Sequence, residues 1–277
     1  MSLIETNYYR RALQNFDEFE HQISQITSSE GRWLFRGQGI SALPQPRFLR
    51  GPNAKRNADG LEAQFIEHFH KDLGRSFPKS SFAKWRILTW LQHYGTPTRL
   101  LDWTEDSLVA LWFAINARLS QIEGGDSSKN TVATVWIVKT SEAQWLKLTD
   151  SEDCLAPNSI SDSKFVRPPE IDARVVAQRS VFSAHRLPRS NLDCVQGLWP
   201  DWSSKLKSGE MIALSCDDSI LSKLFASLKN EGVTRRSIYP DLDDVSNDLN
   251  RKYLTAPEMY LVRSGIALPL KSKRKKD

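Results

Sequence analysis

The segment from Gln92 to Thr104, QHYGTPTRLLDWT, constrains the fold more than any other part of the chain. It lies between two apolar helical patterns, and Gly95 and Pro97 do not permit a regular element through it, so the backbone must turn there. A short polar loop between rigid elements is where binding and catalytic groups usually sit. We therefore expect functional side chains in this loop. The alternative is that His93 and Arg99 make their hydrogen bonds within the protein and only stabilise the loop.

Hydrophobic spacing predicts the elements around this loop. Helices are predicted at residues 7–27, 59–74, 82–94, 105–119, 218–231 and 242–253, with Thr104 as the N-cap of the fourth and Phe225 on the buried face of the fifth. Strands are predicted at 33–39, 131–139, 174–183 (one strand or a hairpin) and 211–215. Helices precede most strands, so we expect a single α+β domain, with a helical N-terminal half packed on a mixed or antiparallel sheet from the later strands. The domain would span residues 15–254, between an N-terminal segment (1–14) and a C-terminal segment (255–277) with a basic tail.

The composition is that of a globular protein, with a hydrophobic fraction of 40% that includes nine Trp and twelve Phe. The apolar runs are too short to span a bilayer, and the N-terminus lacks the pattern of a signal peptide. Three scattered cysteines without a CxxC pair indicate neither a disulfide framework nor a zinc site, so a cytoplasmic location without membrane contact is expected. The net charge of +5 resides in the tail, which either holds phosphates or is a solvated end.

Four motifs, in order, resemble the FRG domain family. The first, Trp33–Gln38, contains the phenylalanine-arginine-glycine triplet that names the family, and the second runs from Leu91 to Ala114. The third is Ala177–Phe182, with Ser180 where a glycine is usual. The fourth is Gly232–Leu242, with Tyr239 where a phenylalanine is common. The resemblance covers roughly residues 15–250 and implies an origin in bacteria or their viruses. It implies less about chemistry than about fold, so function must be argued from the site.

The Phe35-Arg36-Gly37 strand also resembles the first motif of the ADP-ribosyltransferases, and an ADP-ribosyltransferase-like fold is the corresponding expectation. There an aromatic-arginine-glycine segment contacts NAD, which implies that Arg36 holds the pyrophosphate or ribose. Thr96 and Thr98 correspond to the hydroxyl-rich second motif. The third motif is normally a glutamate that stabilises an oxocarbenium-like transition state, but the matching segment here carries Gln178, a neutral amide. The alternative for Arg36 is a buried pair with Asp102.

The candidate residues follow from these motifs. An arginine fork suits a pyrophosphate, glycines let a ligand approach the backbone, and a histidine suits proton transfer near neutral pH. The alternatives are that His93 caps its helix and that Tyr94 belongs to the core. The catalytic candidates are Arg36, His93 and Gln178. The candidates for binding the cofactor are Arg36, Gly37, Gln38, Tyr94, Thr96, Thr98 and Arg99.

The hypothesis is therefore an NAD-dependent ADP-ribosyltransferase-like effector, a toxin or antiviral defence protein, with NAD as substrate and a nucleic acid or protein as acceptor. An antitoxin or inhibitor protein is a further expected partner. No metal is expected, because the acidic residues at 241–244 suit a helix start. Two alternatives stay open: a non-enzymatic module that binds nucleotides or nucleic acid, and an RNA-acting enzyme with His93 as acid or base. A cleft shared by Arg36, the Thr96–Thr98 loop and Gln178 would favour the first hypothesis. A closed Arg36–Asp102 pair would favour a scaffold role.

Overall fold

The structure is a computed structural model that describes residues 10–50, 58–74, 80–125, 132–148, 154–168, 173–187 and 202–240. The strands of this region are β1 Arg10–Leu13, β2 Arg32–Gln38, β3 Leu100–Thr104, β4 Ala133–Thr140, β5 Trp145–Leu146, β6 Lys164–Val166, β7 Ser180–Ala184 and β8 Met211–Cys216. The helices are α1 Phe16–Thr27, α2 Ala58–Asp72, α3 Ser81–His93, α4 Ser107–Glu123, α5 Ala173–Ala177, α6 Ser203–Lys207, α7 Leu221–Asn230 and α8 Arg235–Ile238.

The described strands form one mixed sheet in the order β1-β8-β4-β2-β3-β7-β6-β5. The pairs β1–β8 and β5–β6 are parallel, and the other neighbours are antiparallel. The predicted α+β class is therefore confirmed. The sheet draws strands from both halves of the chain, however, since β1, β2 and β3 precede the strand at 133–140.

Helix α4 covers the centre of the sheet, and its contact with β2 explains why residue 37 is a glycine. A Cβ on Gly37 would overlap the carbonyl oxygen of Ala110 and lie 2.5 Å from the backbone nitrogen of Ala114. The apolar side of α4 packs with Phe35, Val135 and other buried side chains on this face of the sheet. The opposite face carries a second buried cluster around Trp103 and Trp136. Both faces are thus covered, and α4 lies in direct backbone contact with β2.

Several local predictions were wrong. The helix predicted from residue 7 begins only at Phe16, where Asn15 caps it, because Arg10–Leu13 pairs with β8 instead. The Gln92–Thr104 segment is not all loop, since its apolar second half is β3. Thr104 ends that strand, and Asp106 is the N-cap of α4, accepting from the backbone N–H of Leu108 and Val109.

Two more expectations fail nearer the C-terminus. Residues 173–177 form a short helix, so Gln178 lies in the turn before β7 rather than on a strand. Phe225 is 37% exposed and therefore lies at the edge of α7 rather than on its buried face. The helix predicted at 242–253 lies outside the described residues. Within the described ranges, no helix combines the length and the apolar character needed to cross a membrane.

Candidate functional site

The site lies where the sheet opens between β2 and β3. These strands pair at a single position, Phe35 with Thr104, whereas β2 pairs with β4 along its whole length. A cleft of about 380 Å³ lies at this opening, with Gly37 and Asp102 among the residues on its two sides. Its remaining lining comes from the end of α3, from α4, from the segment 174–182 and from Tyr239. The incomplete β2–β3 pairing therefore makes room for the cleft.

Arg36 bridges the opening. Its Nη1 donates to the carbonyl oxygen of Asp102 at 2.7 Å and lies 3.6 Å from the Asp102 carboxylate. The Nε atom is buried and has no hydrogen-bond partner among the described residues, and the side chain is 14% exposed. Burial lowers the pKa of Arg36 to about 10 against the opposing effect of the Asp102 carboxylate, so the guanidinium is cationic at neutral pH. A buried donor without an acceptor costs about 1–3 kcal/mol.

A short chain of hydrogen bonds fixes the carboxylate on the other side. Gln92 Nε2 donates to Asp102 Oδ2 at 2.9 Å. The amide is held in this orientation because the Thr98 hydroxyl donates to Gln92 Oε1 at 2.8 Å while accepting from the Leu100 backbone N–H at 3.1 Å. Thr98 is fully buried, whereas the Asp102 side chain is 56% exposed. Asp102 of β3 thus borders the cleft, and its carboxylate is held by Gln92, which the buried Thr98 orients in turn.

Arg50 interacts electrostatically with this carboxylate, and Arg47 interacts with Arg50. Arg47 donates from Nη1 to the Gly95 carbonyl at 2.9 Å, and Arg50 donates to the Gln45 carbonyl from Nε and Nη2. Burial lowers the pKa of Arg50, the charge of Asp102 raises it, and Arg47 lowers it again. Arg50 in turn lowers the pKa of Arg36. Arg36 and Arg50 therefore share one carboxylate, and Arg47 interacts with Arg50, so this group of side chains beside the cleft carries a net positive charge.

The opposite wall carries the other catalytic candidate, Gln178. Its side-chain Nε2 donates to the Ile238 carbonyl at 3.1 Å, and its backbone carbonyl accepts from the Thr104 hydroxyl at 2.6 Å. The side chain lines the cleft but is engaged in tying α8 to the turn before β7. Beside it, Tyr239 forms an edge-on pair with Phe113, with ring centroids 6.3 Å apart. This wall therefore includes two aromatic rings and the side-chain amide of Gln178.

His93 is the remaining catalytic candidate in the cleft. It ends α3 and lies half-buried in the lining, edge-on to Tyr94 at a centroid distance of 5.0 Å. Gly95 adopts a positive φ of 83°, and Thr96 then donates its backbone N–H to the Leu91 carbonyl at 2.8 Å to close the helix. The predicted turn at Gly95 is therefore present. Tyr94 is not core, because it is 78% exposed.

The structure separates the predicted residues into two groups. Arg36, Gly37, His93 and Gln178 line the cleft, whereas Gln38, Tyr94, Thr96, Thr98 and Arg99 are not among its lining residues. Gln38 donates to the carbonyls of Ile40 and Ala42 and so braces the turn after β2. Gly37 lines the cleft, but the close packing of α4 is a sufficient reason for a glycine there.

Arg99 is the clearest departure from the ligand prediction. Its side chain is 2% exposed and is ion-paired with Glu62 and, at 2.7 Å, with Asp59 of α2. It also donates from Nη1 to the Pro157 carbonyl at 2.6 Å. A second cavity of about 450 Å³ lies beside this network, between α2 and α3. Arg99 therefore joins the loop to α2 instead of facing the cleft.

A buried histidine, which the sequence did not suggest, supports β3 from behind. His185 Nδ1 lies 2.8 Å from the Ser163 hydroxyl, and Nε2 lies 2.7 Å from the Ser183 hydroxyl. The Trp103 indole donates to Ser183 at 2.8 Å. Burial and, to a smaller extent, the charge of the nearby Arg99 lower the pKa of His185 to about 3, so the ring is neutral at physiological pH. The network anchors Trp103, which contacts the cleft.

The contact of Gln92 with Asp102 and the charges of Arg47 and Arg50 near this site were not predicted from the sequence. Gln92 is the first residue of the Gln92–Thr104 segment, and Asp102 follows ten positions later. A polar pair within one short segment could have indicated that the two side chains meet. The two arginines follow the proline-rich segment at 43–46, and no local pattern connects them to β3.

In the described part of the chain, no group of three or more His, Cys, Asp or Glu side chains is placed to hold a metal ion.

Comparison with known proteins identifies the segment that carries Arg36 and the loop. Residues 31–122 match the family model of the FRG domain, while Gln178 and Tyr239 lie beyond the match. No curated protein and no solved structure gives a significant match to the chain. The matched residues contain both the phenylalanine-arginine-glycine triplet and the loop that ends in β3. The chain therefore carries an FRG domain at residues 31–122.

Proposed function

We propose that this chain is an ADP-ribosyltransferase-like enzyme that binds NAD as a substrate in the Arg36 cleft. Its ADP-ribose would be transferred to a macromolecular acceptor, a protein or a nucleic acid. The observation that carries the proposal is that Arg36, His93 and Gln178 line one open cleft together with an exposed carboxylate. Arg36 does pair with Asp102, but it does so at the wall of this cleft and not in a closed core.

The charge of the cleft supports a ligand with more than one negative charge. Arg36, Arg47 and Arg50 all interact electrostatically with Asp102 or with each other. A single carboxylate cannot neutralise three guanidinium groups, whereas a pyrophosphate offers several acceptor oxygens to planar arginine forks. A neutral nucleoside or a free base would leave these groups uncompensated. The pyrophosphate bridge of a dinucleotide satisfies them.

The size and walls of the cleft suit the rest of such a ligand. A volume of about 380 Å³ lies within the range of small-molecule sites, about 300–1,000 Å³. The rings of Phe113 and Tyr239 offer apolar surface to a planar heterocycle. The side-chain amide of Gln92 faces the same space from α3. Aromatic and amide groups of this kind orient a nucleotide without contributing charge.

In the proposed reaction the bond between the nicotinamide nitrogen and the ribose C1′ breaks. The bonding electrons leave with nicotinamide, which departs as a neutral molecule, and C1′ becomes an oxocarbenium-like cation. The acceptor attacks C1′ and loses a proton, for which His93 is the candidate base. Gln178 contacts the ribose in this proposal. With water as acceptor, the products are nicotinamide, ADP-ribose and one proton.

The biological role we propose is that of a cytoplasmic toxin or antiviral defence effector of bacteria, held in check by an antitoxin or inhibitor protein. The rival is a module that binds a nucleotide or nucleic acid without turnover. It predicts that NAD raises the melting temperature while no nicotinamide is released. An RNA-acting enzyme would instead cleave RNA without NAD, with His93 as acid or base.

Incubation of the purified protein with adenylate-labelled NAD and cell extract tests the proposal. We expect label in a macromolecular fraction and release of nicotinamide, both abolished by Arg36→Ala. Arg32→Ala is the matched control, because Arg32 lies on the same strand with a side chain 50% exposed and ion-paired outside the cleft. Equal label transfer by wild type and Arg36→Ala, or no transfer by either, would overturn the proposal.

A further inference from the structure

The proposed reaction needs a negative charge that Gln178 does not supply. Breaking the N-glycosidic bond places positive charge on the ribose C1′ and ring oxygen. In glycoside cleavage such charge is stabilised by a carboxylate on the opposite face of the sugar. The amide of Gln178 is neutral, and its Nε2 donates to the Ile238 carbonyl. The charge must therefore come from another residue that borders the cleft.

Asp102 is the carboxylate that meets this need. Among the described residues that line the cleft, it is the one Asp or Glu side chain. Its side chain is 56% exposed although it lies on a strand whose other four residues are buried. Position 102 pairs with Phe182 of β7, on the face of the sheet that bears α3. Buried strands favour apolar residues, so an open aspartate here has no packing function of its own.

The surroundings hold this carboxylate in one position. Gln92 donates to Oδ2 at 2.9 Å, and Arg36 Nη1 lies 3.6 Å from the same oxygen. Thr98 prevents the Gln92 amide from flipping, because its hydroxyl hydrogen is committed to Gln92 Oε1 while its oxygen accepts from Leu100. Groups fixed before the reaction stabilise a developing charge without reorganisation. Asp102 of β3 therefore supplies a pre-positioned negative charge beside Arg36, the proposed phosphate-binding arginine.

We infer that Asp102 is the catalytic carboxylate, stabilising the cationic ribose as nicotinamide leaves, and that Gln92 and Thr98 are the residues that position it. This inference rests on the proposed function. The bond that breaks joins C1′ to the nicotinamide nitrogen, and both its electrons leave with nicotinamide. Asp102 acts through its charge and forms no covalent bond. The acceptor then bonds to C1′ and releases its proton.

Substitution of Asp102 should change the turnover of NAD without weakening its binding. Asp102→Asn keeps the shape and the acceptor for Gln92 but removes the charge, so we expect kcat for nicotinamide release to fall by about a hundredfold or more. NAD binding is expected to be unchanged or tighter, because the variant removes a negative charge next to Arg36 and Arg50. A residue that only braced Arg36 would show the opposite pattern, with weakened binding and a small change in kcat.

The experiment measures kcat for nicotinamide release, NAD affinity and melting temperature for wild type, Asp102→Asn and Asp102→Glu. Asp72→Asn is the matched control, an exposed aspartate at the end of α2 and outside the cleft. We expect Asp102→Glu, which restores the charge, to retain more turnover than Asp102→Asn at a similar melting temperature. Should Asp102→Asn fail to fold, Gln92→Leu replaces it, and a drop in kcat without loss of NAD affinity is again expected.

The possible failures are distinguishable. If wild type releases nicotinamide and Asp102→Asn does so within about threefold of its rate, a difference far below that of a lost electrostatic stabiliser, Asp102 is not the catalytic carboxylate and the proposed function stands. If wild type binds NAD but releases no nicotinamide, both the reaction and the role of Asp102 are refuted, and the binding module is the correct interpretation.

Discussion

Replacing Thr98 by valine tests whether the loop works through buried hydrogen bonds or by direct contact with a ligand. The variant keeps the shape and removes one hydroxyl, which donates to Gln92 at 2.8 Å and accepts from the Leu100 N–H at 3.1 Å. Thr98 is fully buried, so water cannot replace these bonds. Each polar group left unsatisfied costs about 1–3 kcal/mol, and we expect a net loss of about 2 kcal/mol in the free energy of unfolding.

Urea denaturation measures this loss. With a slope of about 2 kcal/mol per molar urea, the midpoint should fall by about 1 M. Thr96→Val is the matched control, because Thr96 is half-exposed and uses its backbone N–H, not its hydroxyl, to bond Leu91. Its unfolding free energy should change by less than about 0.5 kcal/mol. Equal midpoints for the two variants would refute the positioning role of Thr98, as would a Thr98→Val protein that unfolds like wild type but no longer binds NAD.

Three further predictions concern the frame of the site. Arg99→Met leaves a buried carboxylate unpaired and should lower the free energy of unfolding by about 3–5 kcal/mol. The control, Lys71→Met, breaks an exposed ion pair and should lower it by about 0.5 kcal/mol or less. Equal losses in the two variants would contradict the buried network. Gly37→Ala should prevent folding or lower the melting temperature sharply, because its Cβ would overlap the backbone of α4, and a normal thermal transition would show that α4 is not so close. His185 has a folded pKa of about 3, below its usual 6.5, so the unfolded chain binds the extra proton and stability falls as pH drops from 6.5 towards 3. Between pH 6.5 and 5 this effect lowers the free energy of unfolding by about 2 kcal/mol. The free energy of unfolding of His185→Asn should therefore fall less in acid than that of wild type. An equal fall in both proteins would mean that the histidine is not buried as a neutral ring.

The elements with a strong local pattern could be predicted from the sequence. The helices that became α2, α3 and α7 and the strands β2, β4 and β8 all follow hydrophobic spacing. Strand β1 could not be predicted, because it is four residues long and forms through parallel pairing with β8, some 200 positions away in the sequence. Strand β3 was hidden by the glycine and proline that precede it. Its partners, β2 and β7, decide its conformation.

The site was only partly predictable for the same reason. Arg36, His93 and Gln178 were identified by motif, and they do line one cleft. Arg99 carries the same kind of side chain in the same loop, but its carboxylate partners lie on α2, 37 and 40 positions earlier. No local pattern distinguishes an arginine that meets a ligand from one that meets a buried glutamate. That distinction depends on which helix packs behind the loop.

The central claim is that NAD is consumed in the cleft beside Arg36, and the rate of nicotinamide release from NAD by the pure protein tests it most directly. Wild type and Arg32→Ala should release nicotinamide at similar rates, and Arg36→Ala should release none above the rate without protein. Arg36→Lys keeps the positive charge but loses the planar fork, so it should bind NAD more weakly. Nicotinamide release by Arg36→Ala at the wild-type rate, or no release by the folded wild-type protein, would contradict the account.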